Sequence, residues 1–367
     1  IQPLSAYRFL KQPRFCAMLV FMSSHLLIDG GIGEVRAAHM VDDRLVELSI
    51  HHDEDTGILG NIYGARVTRA GHDQDLFLDL GEGTEAHMSK RRAKADGRKS
   101  LPDEGSLVRV RITREADGDK LAQASTRLRL AGRYVVLDQR VPGGFIHRLD
   151  GDQKEAEKTR LSNFFDDLSE APGLLYEAPR GLEQILMNCA AVDEILISDP
   201  ALFAQAQHFC TRWTDLQPRL KRAFDTPSLF SDHGVDDEIE AILSGRIPLI
   251  KGGWLSFAQS DALCAIDVNA GAQDILTTNI SAAREIARQL QLQNIGGLIV
   301  TDFIDMQEKG AWDKVLEAFD DAAKGDKARI ERSNASQFGL VEVRREKSGA
   351  SLPQRFLRKA EPQASAA

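Results

Sequence analysis

Two stretches decide the fold: residues 264–269, CAIDVN, and residues 297–306, GLIVTDFIDM. Each is a short apolar run that ends on an acid, Asp267 followed by Asn269 in the first and Asp302 followed by Asp305 in the second. Between them, residues 281–292 (SAAREIARQLQL) put Ala283, Ile286, Ala287 and Leu290 on one face of an amphipathic helix, which Gly296–Gly297 ends. Carboxylates at the C-terminal ends of adjacent strands project together into the crevice outside the sheet, where open α/β folds place ligands. Two carboxylates held close repel unless a cation lies between them. Hard oxygen ligands suit Mg²⁺, which keeps several waters and also accepts phosphate oxygens. A neighbouring Asn can donate a hydrogen bond to a phosphate without adding charge. The chemistry fits metal-assisted phosphodiester hydrolysis. An Asp at a strand end is also a common turn former or helix cap, and the residues alone leave both readings open.

Outward from this unit the text keeps its punctuation. GGWLSFAQ and ALCAIDVN predict two strands joined by a turn at Ser260–Asp261, with a helix near 311–324 and a strand in QFGLVEVRR further on. Residues 153–170 have helical spacing, residues 177–199 read as helix then strand, and residues 200–216 as another helix, which makes the middle of the chain an α/β layer. At the other end, LLIDG, EVRAAHM and RLVELSIH predict two or three antiparallel strands beginning near Leu26. NIYGARVTRA, DLFLDLG, EAHM and SLVRVRITRE, between about 60 and 130, are short strands with period-two alternation, as in a small barrel or sandwich.

That barrel carries a basic insertion, Ser89 to Ser100 (SKRRAKADGRKS), with Lys90, Arg91, Arg92, Lys94, Arg98 and Lys99. Charge runs are usually solvated loops. Phe77 and a cationic turn at Lys120 belong to the same barrel, however. Aromatic faces with a cationic rim are what single-stranded RNA needs, because bases stack and phosphates require neutralising.

The 367 residues allow two or three domains. A net charge of −9 argues against coating nucleic acid by bulk charge, while a local basic patch remains compatible with it. Cys16, Cys189, Cys210 and Cys264 form no C-x-x-C or C/H cluster, so neither a zinc knuckle nor a disulfide framework is signalled; a reducing, cytoplasmic setting is expected. The most apolar run, Phe15 to Met22, is far below the roughly 20 residues of a membrane span. Arg8, Lys11 and Arg14 before it loosely fit a signal-peptide n-region, but no clean cleavage site follows; residues 1–25 are expected to be a poorly ordered extension. A nucleotide-binding α/β enzyme ranks last, for want of a P-loop or G-x-G-x-x-G.

The stretches CAIDVNAG, TNISAAREIARQLQLQNIGGLIVTDFIDM and ARIERSNASQFGLVEVRRE closely resemble the catalytic region of the ribonuclease E/G family. Upstream, GNIYGARVTR, DLFLDLG and LAGRYVVL resemble that family's OB-fold barrel, and GGFIHRLDGD and AVDEILISDP its RNase H-like part. The resemblance implies an α+β / α/β multidomain chain: an RNase H-like layer (26–56 and 134–250), an inserted OB-fold RNA-binding barrel (57–133), a DNase I-like catalytic subdomain (251–352) and a disordered tail (353–367). It implies Mg²⁺ on Asp267 and Asp302, contact of Asn269 with the scissile phosphate, and cleavage of single-stranded RNA to 5′-phosphate and 3′-hydroxyl ends. On the RNA-binding side it implies Phe77 as a stacking ring, Lys120 as a basic turn residue and His87 in place of a second aromatic; Arg91 and Arg92 join them from the basic insertion.

Departures from the family pattern shape the expectation. Members sense a 5′-monophosphate with an Arg-Thr pair, but here FFDDLSEAPG passes almost directly into LLYEAPRGLEQI and that segment is missing; Gly132, Val136 and Arg329 match other parts of the pocket. Asp302 follows Asp267 by only 35 residues, and the loop after Asn269 lacks an Arg usual there. The C-P-x-C motif of zinc-linked dimers is absent from the sequence. The expectation is a Mg²⁺-dependent endoribonuclease, largely blind to the 5′ end and not zinc-linked. Its rival is an RNA-binding protein on the same scaffold with weak or no turnover.

Overall fold

The computed structural model describes residues 23–52, 57–71, 75–116, 120–138, 140–189, 192–225, 228–250, 252–260, 262–347 and 351–358. All but the last three residues of the expected N-terminal extension lie outside that set. The alternating apolar residues at the start form an antiparallel meander, β1 (Ser24–Gly31), β2 (Glu34–Val41) and β3 (Arg44–His52). Asp42 and Asp43 both take positive φ at the β2–β3 turn, a two-residue geometry whose twist matches that of paired strands.

The barrel follows. β4 (Ile62–Ala70), β5 (Leu76–Gly81) and β6 (Thr84–Met88) lead into a short helix, α1 (Lys90–Ala93), then β7 (Leu107–Arg114) and β8 (Ala122–Ser125). The strand order β4-β5-β6-β8-β7 closes through a β4–β7 pairing, giving a five-stranded barrel of OB-like form. Period-two alternation turns Val67, Leu78, Met88, Val110, Ile112 and Ala124 into its packed interior. The basic insertion, expected as a loop, folds partly as α1, whose Ala93 is buried against that interior.

Beyond the barrel, β9 (Leu130–Ala131), β10 (Val135–Leu137) and β11 (Phe145–His147) form a small sheet under α2 (Lys154–Asp166). β12 (Gly173–Tyr176) then returns to pair with β4 on the barrel. After α3 (Gly181–Asn188), β13 (Glu194–Ile197) lies parallel to β1, and after α4 (Pro200–Arg212), β14 (Leu220–Arg222) lies parallel to β13. The first sheet is thus ordered β14-β13-β1-β2-β3. Two helices, α5 (Leu229–Asp232) and α6 (Val235–Ser244), lead out of it.

The last sheet is built from β15 (Arg246–Pro248), β16 (Trp254–Gln259), β17 (Cys264–Asn269), β18 (Gly297–Asp302), β19 (Ile330–Arg332) and β20 (Leu340–Arg345), ordered β15-β16-β17-β18-β20-β19. Only β17 and β18 among these pairs run parallel, joined by α7 (Ile275–Leu292); α8 (Ala311–Ala323) follows β18. The predicted face of α7 is buried at Ala283, Ile286, Ala287 and Leu290, and the helix starts six residues before the expected Ser281. One apolar cluster contains Leu27 and Leu48 of the first sheet together with Ile266 and Ile299 of the last. The tail expected to be disordered from 353 begins instead as α9 (Leu352–Arg358). Its apolar residues explain the correction: Leu352 is buried and Phe356, one turn on, packs against the same cluster. Residues 359–367 lie outside the described set.

Candidate active site

Alternation along β17 and β18 decides which side chains face the helices. Ile266 and Val268, like Ile299 and Thr301, are buried; Asp267 and Asp302 therefore point to the other, exposed face. Asp267 is the direct register partner of Asp302 across the parallel pair. Neighbouring strands lie about 4.8 Å apart, so the two carboxylates stand side by side. The Asn269 amide donates to Asp267 Oδ2 at 2.8 Å, which fixes both side chains at one strand end. No group of three or more His, Cys, Asp or Glu able to hold a metal gathers among the described residues. A carboxylate pair open to solvent is a donor set suited to a hydrated Mg²⁺, which uses one or two carboxylates and keeps much of its water. A closed, all-protein cage is not what these residues build.

Two further features hold this strand end, and neither was singled out in the sequence. Gly253 (φ 86°) and Gly271 pack backbone on backbone beside Asn269: a Cβ on Gly271 would lie 2.4 Å from the Gly253 nitrogen, and one on Gly253 would lie 2.5 Å from the Asn269 carbonyl oxygen. The short loop after Asn269 is therefore pinned rather than slack, and Asp274 ends it by accepting the Thr277 N–H as the N-cap of α7. Within α7, the fully buried Asn279 donates to the Ile304 carbonyl oxygen at 2.7 Å and accepts the Ile304 N–H at 3.2 Å. It clamps the segment immediately after Asp302. An Asn inside a helix that bonds outside it is a signal, but it is visible only once its partner is known.

The same exposed face carries more. Register runs Arg246–Ser256–Asp267–Asp302 across four strands, and Trp254 is opposite Asn269. The Arg246 guanidinium lies 4.2 Å from the centroid of the Trp254 ring. A cation and an aromatic thus sit within two strands of the carboxylates, though sequence reading passed over both.

On the barrel, Phe77 and His87 are register partners whose rings meet edge to face at 5.7 Å. The Arg69 guanidinium covers the Phe77 ring at 3.9 Å. Asp75 ties His87 (2.9 Å) to the Lys90 N–H (3.0 Å) at the start of α1. Arg92 is anchored by donating to Thr113 Oγ1, while Arg91 and Lys120 are exposed. Arg329 is exposed and ion-paired with Glu331. Around Gly132 the site is already filled. The buried Glu157 carboxylate accepts the N–H groups of Arg133 (2.7 Å), Tyr134 (2.7 Å) and Val135 (3.1 Å). A Cβ on Gly132 would lie 2.4 Å from Glu157 Cδ.

Residues 111–348 match the ribonuclease E/G family. The chain is 29% identical over 385 residues to ribonuclease E of Haemophilus influenzae, covering 87% of this chain and 41% of that protein. It is 28% identical over 393 residues to ribonuclease G of the same organism, covering 89% and 80%. To ribonuclease E of Escherichia coli it is 29% identical over 387 residues, covering 87% and 36%. The chain spans well under half the length of these ribonuclease E relatives and most of the ribonuclease G.

Proposed function

The chain belongs to the ribonuclease E/G family, and on that premise we propose that it is a Mg²⁺-dependent endoribonuclease of RNA processing or decay that cuts single-stranded RNA to leave 5′-phosphate and 3′-hydroxyl ends. The observation that carries the reading is the pairing of Asp267 with Asp302 in register, with Asn269 bonded to the first. Asp267 and Asp302 are the ligands. Mg²⁺ bound there would supply a Lewis acid for the phosphate oxygens and a more acidic bound water. Asn269, held by Asp267, turns its amide towards the scissile phosphate and orients it. Water attacks the phosphorus and the P–O3′ bond breaks, so the 3′ oxygen takes up a proton and leaves as the hydroxyl of the upstream fragment, while the phosphate stays on the 5′ oxygen of the downstream fragment. Arg246 and Trp254 lie where a flanking nucleotide of the strand would pass.

The wider layout follows the same reading. Three antiparallel strands followed by two parallel ones support an RNase H-like first sheet, and a mixed sheet with helices on one face supports a DNase I-like catalytic region. Phe77, His87 and Lys120, with Arg91 and Arg92, form the strand-binding face of the barrel, and Arg329 adds a cation from the catalytic region. The filled nest at Glu157 supports indifference to the 5′ end. Among the described residues no helix is long and apolar enough to cross a membrane. The buried Cys189, Cys210 and Cys264 suit a reducing setting such as the cytoplasm, and burial pushes the thiols of Cys189 and Cys264 up to about 11.

The tightly pinned loop after Asn269 favours a second reading, an RNA-binding protein with weak or no turnover. One experiment separates them: a labelled single-stranded RNA incubated with Mg²⁺ or EDTA, with the wild type, Asp267→Asn and Asp302→Asn. A Lewis acid worth several kcal/mol predicts a loss of at least about 100-fold in cleavage for each variant, with RNA affinity retained. Wild-type cleavage no faster than the variants', with equal binding, would leave only the binding protein.

A further inference from the structure

We propose that a cavity between the barrel and α2 is a subsite for one nucleotide of the bound RNA strand, its phosphate held by arginines and its base lying on an apolar wall; this rests on the RNA-directed function proposed above. The cavity has a volume of about 290 Å³, near the lower end of the roughly 300–1,000 Å³ of small-ligand sites. It therefore has room for a single unstacked nucleotide and not for a duplex.

Its charge is the first argument. Arg98, Arg109, Arg127 and Arg140 line it against two carboxylates, Asp96 and Glu170, an excess of two positive charges in a chain of net charge −9. Asp96 is already engaged by Arg98 in a two-pronged pair. Arg127 leans on the fully buried Asp138, which it shares with Arg129. No hydrogen bond or ion pair to another described residue holds the Arg140 guanidinium; only its backbone N–H is used, on Asp138, and the side chain lies over Gly97. A planar guanidinium whose donors no other described residue takes, beside an Arg127 fixed by the buried Asp138, is a phosphate-binding arrangement.

Shape and position are the second. Leu107, 37% exposed, and Phe165 of α2 give the cavity a surface on which a base can lie. A second cavity, lined by Arg91, Arg92 and Ser125, adjoins the same segment: Thr126 lines the first cavity, and the Arg92 carbonyl oxygen accepts from both its N–H and its hydroxyl. α1 begins at the Lys90 N–H that Asp75 binds, and Asp75 also holds His87 beside Phe77. A basic track thus leads from the Phe77–His87 face around α1 into the Arg140 cavity. Each phosphate neutralised along it releases counterions and adds to affinity without sequence preference.

The test is the affinity of the full chain for a 3′-labelled single-stranded 12-mer RNA in EDTA, measured across a salt series. The proteins compared are wild type, Arg140→Ala, Arg140→Lys, Arg98→Ala/Arg140→Ala and Phe77→Ala. Arg140→Ala should weaken binding roughly five- to twentyfold and lower the slope of log K against log salt by about 0.7, the value for one lost phosphate contact on a single strand. Arg140→Lys should restore the slope but only part of the affinity, since it keeps the charge and loses the fork. Arg140 is exposed, so an unchanged melting temperature should accompany the loss. Wild-type affinity and slope in Arg140→Ala and in Arg98→Ala/Arg140→Ala, with Phe77→Ala still weakened, would overturn the subsite and leave the ribonuclease reading intact. Millimolar 5′-AMP that protects the wild type against thermal unfolding but not Arg140→Ala, with RNA affinity equal in the two, would assign the cavity to a free mononucleotide and also overturn the proposal. Absence of RNA binding by the wild type would remove both readings together.

Discussion

Glu157 is an acid used as an internal anion. Its two carboxylate oxygens take three consecutive backbone N–H groups, the donor geometry with which protein loops otherwise capture phosphate. Because the carboxylate is tethered, an incoming 5′-phosphate would have to displace it from all three N–H groups and leave it buried with only the Arg160 guanidinium, 3.6 Å away, which costs several kcal/mol. RNAs differing only in a 5′-monophosphate or a 5′-hydroxyl should therefore be cleaved at rates within a factor of about two, under ~0.5 kcal/mol of discrimination; a tenfold preference in matched single-turnover assays would show that the nest is open. Asp326 is a second buried acid, paired with Arg345 at 2.7 Å, the two side chains 3% and 4% exposed. Burial pushes the Asp326 carboxyl up, but the Arg345 hydrogen bonds and charge with the Ala328 N–H outweigh it and hold the group below the usual carboxylate range. A lowered folded value means that the stabilisation is complete above the unfolded value near 4 and is lost as pH falls through the folded one. Melting temperature should hold from pH 7 to about 5 and fall below about 4. Arg345→Met, which strands the carboxylate, should cost about 3–5 kcal/mol at neutral pH by urea unfolding.

At the scale of elements, Asn279 shows how a helix can position chemistry it does not perform. Its amide holds both backbone groups of Ile304, two residues past Asp302, so α7 fixes the strand end as well as covering the sheet. Asn279→Ala should cost about 1–3 kcal/mol for the stranded Ile304 groups, and lower kcat more than it raises KM. Asn279→Asp keeps only the acceptor and should fall between. Equal loss of RNA affinity and turnover would mark Asn279 as merely structural. The two strands ending in Asp267 and Asp302, the helix between them and the barrel strands were legible in the sequence, because apolar periodicity reports which face is buried. What periodicity does not carry is partnership. Asn279, Glu157 and the Gly253–Gly271 contact each answer to a residue 18 to 25 positions away in sequence. The register that puts Asp267 opposite Asp302 could be inferred only through resemblance. The start of α9 was missed because Pro, Gln, Ser and Ala around it hid one apolar pair, Leu352 and Phe356.

For the whole molecule the decisive fact is that two sheets share one core. Leu27, Met40 and Leu48 of the first sheet belong to the same buried cluster as Ile266 and Ile299 of the last and Ile286 of α7. A polar lattice seals the seam: Arg288 of α7 donates to the Leu45 carbonyl oxygen and pairs with Glu238 of α6 and with Glu285, which also binds Arg44 at the β2–β3 turn. Burial raises the cost of the Arg288 charge, yet its carboxylate partners outweigh that and lift its pKa. Arg288 is therefore charged across the whole working range. The barrel interior, by contrast, is a separate apolar cluster. Coupled cores unfold together, while a separate one can open alone. Hydrogen exchange should therefore protect the amides of β1, β2, β17 and β18 with one common opening free energy, and those of β4–β8 with their own. Leu27→Ala, some distance in sequence from any candidate catalytic residue, should cost about 2–5 kcal/mol and lower the protection of β17 and β18 by the same amount as that of β1. Protection of β17 unchanged in that variant would mean that the sheet carrying Asp267 and Asp302 stands on its own.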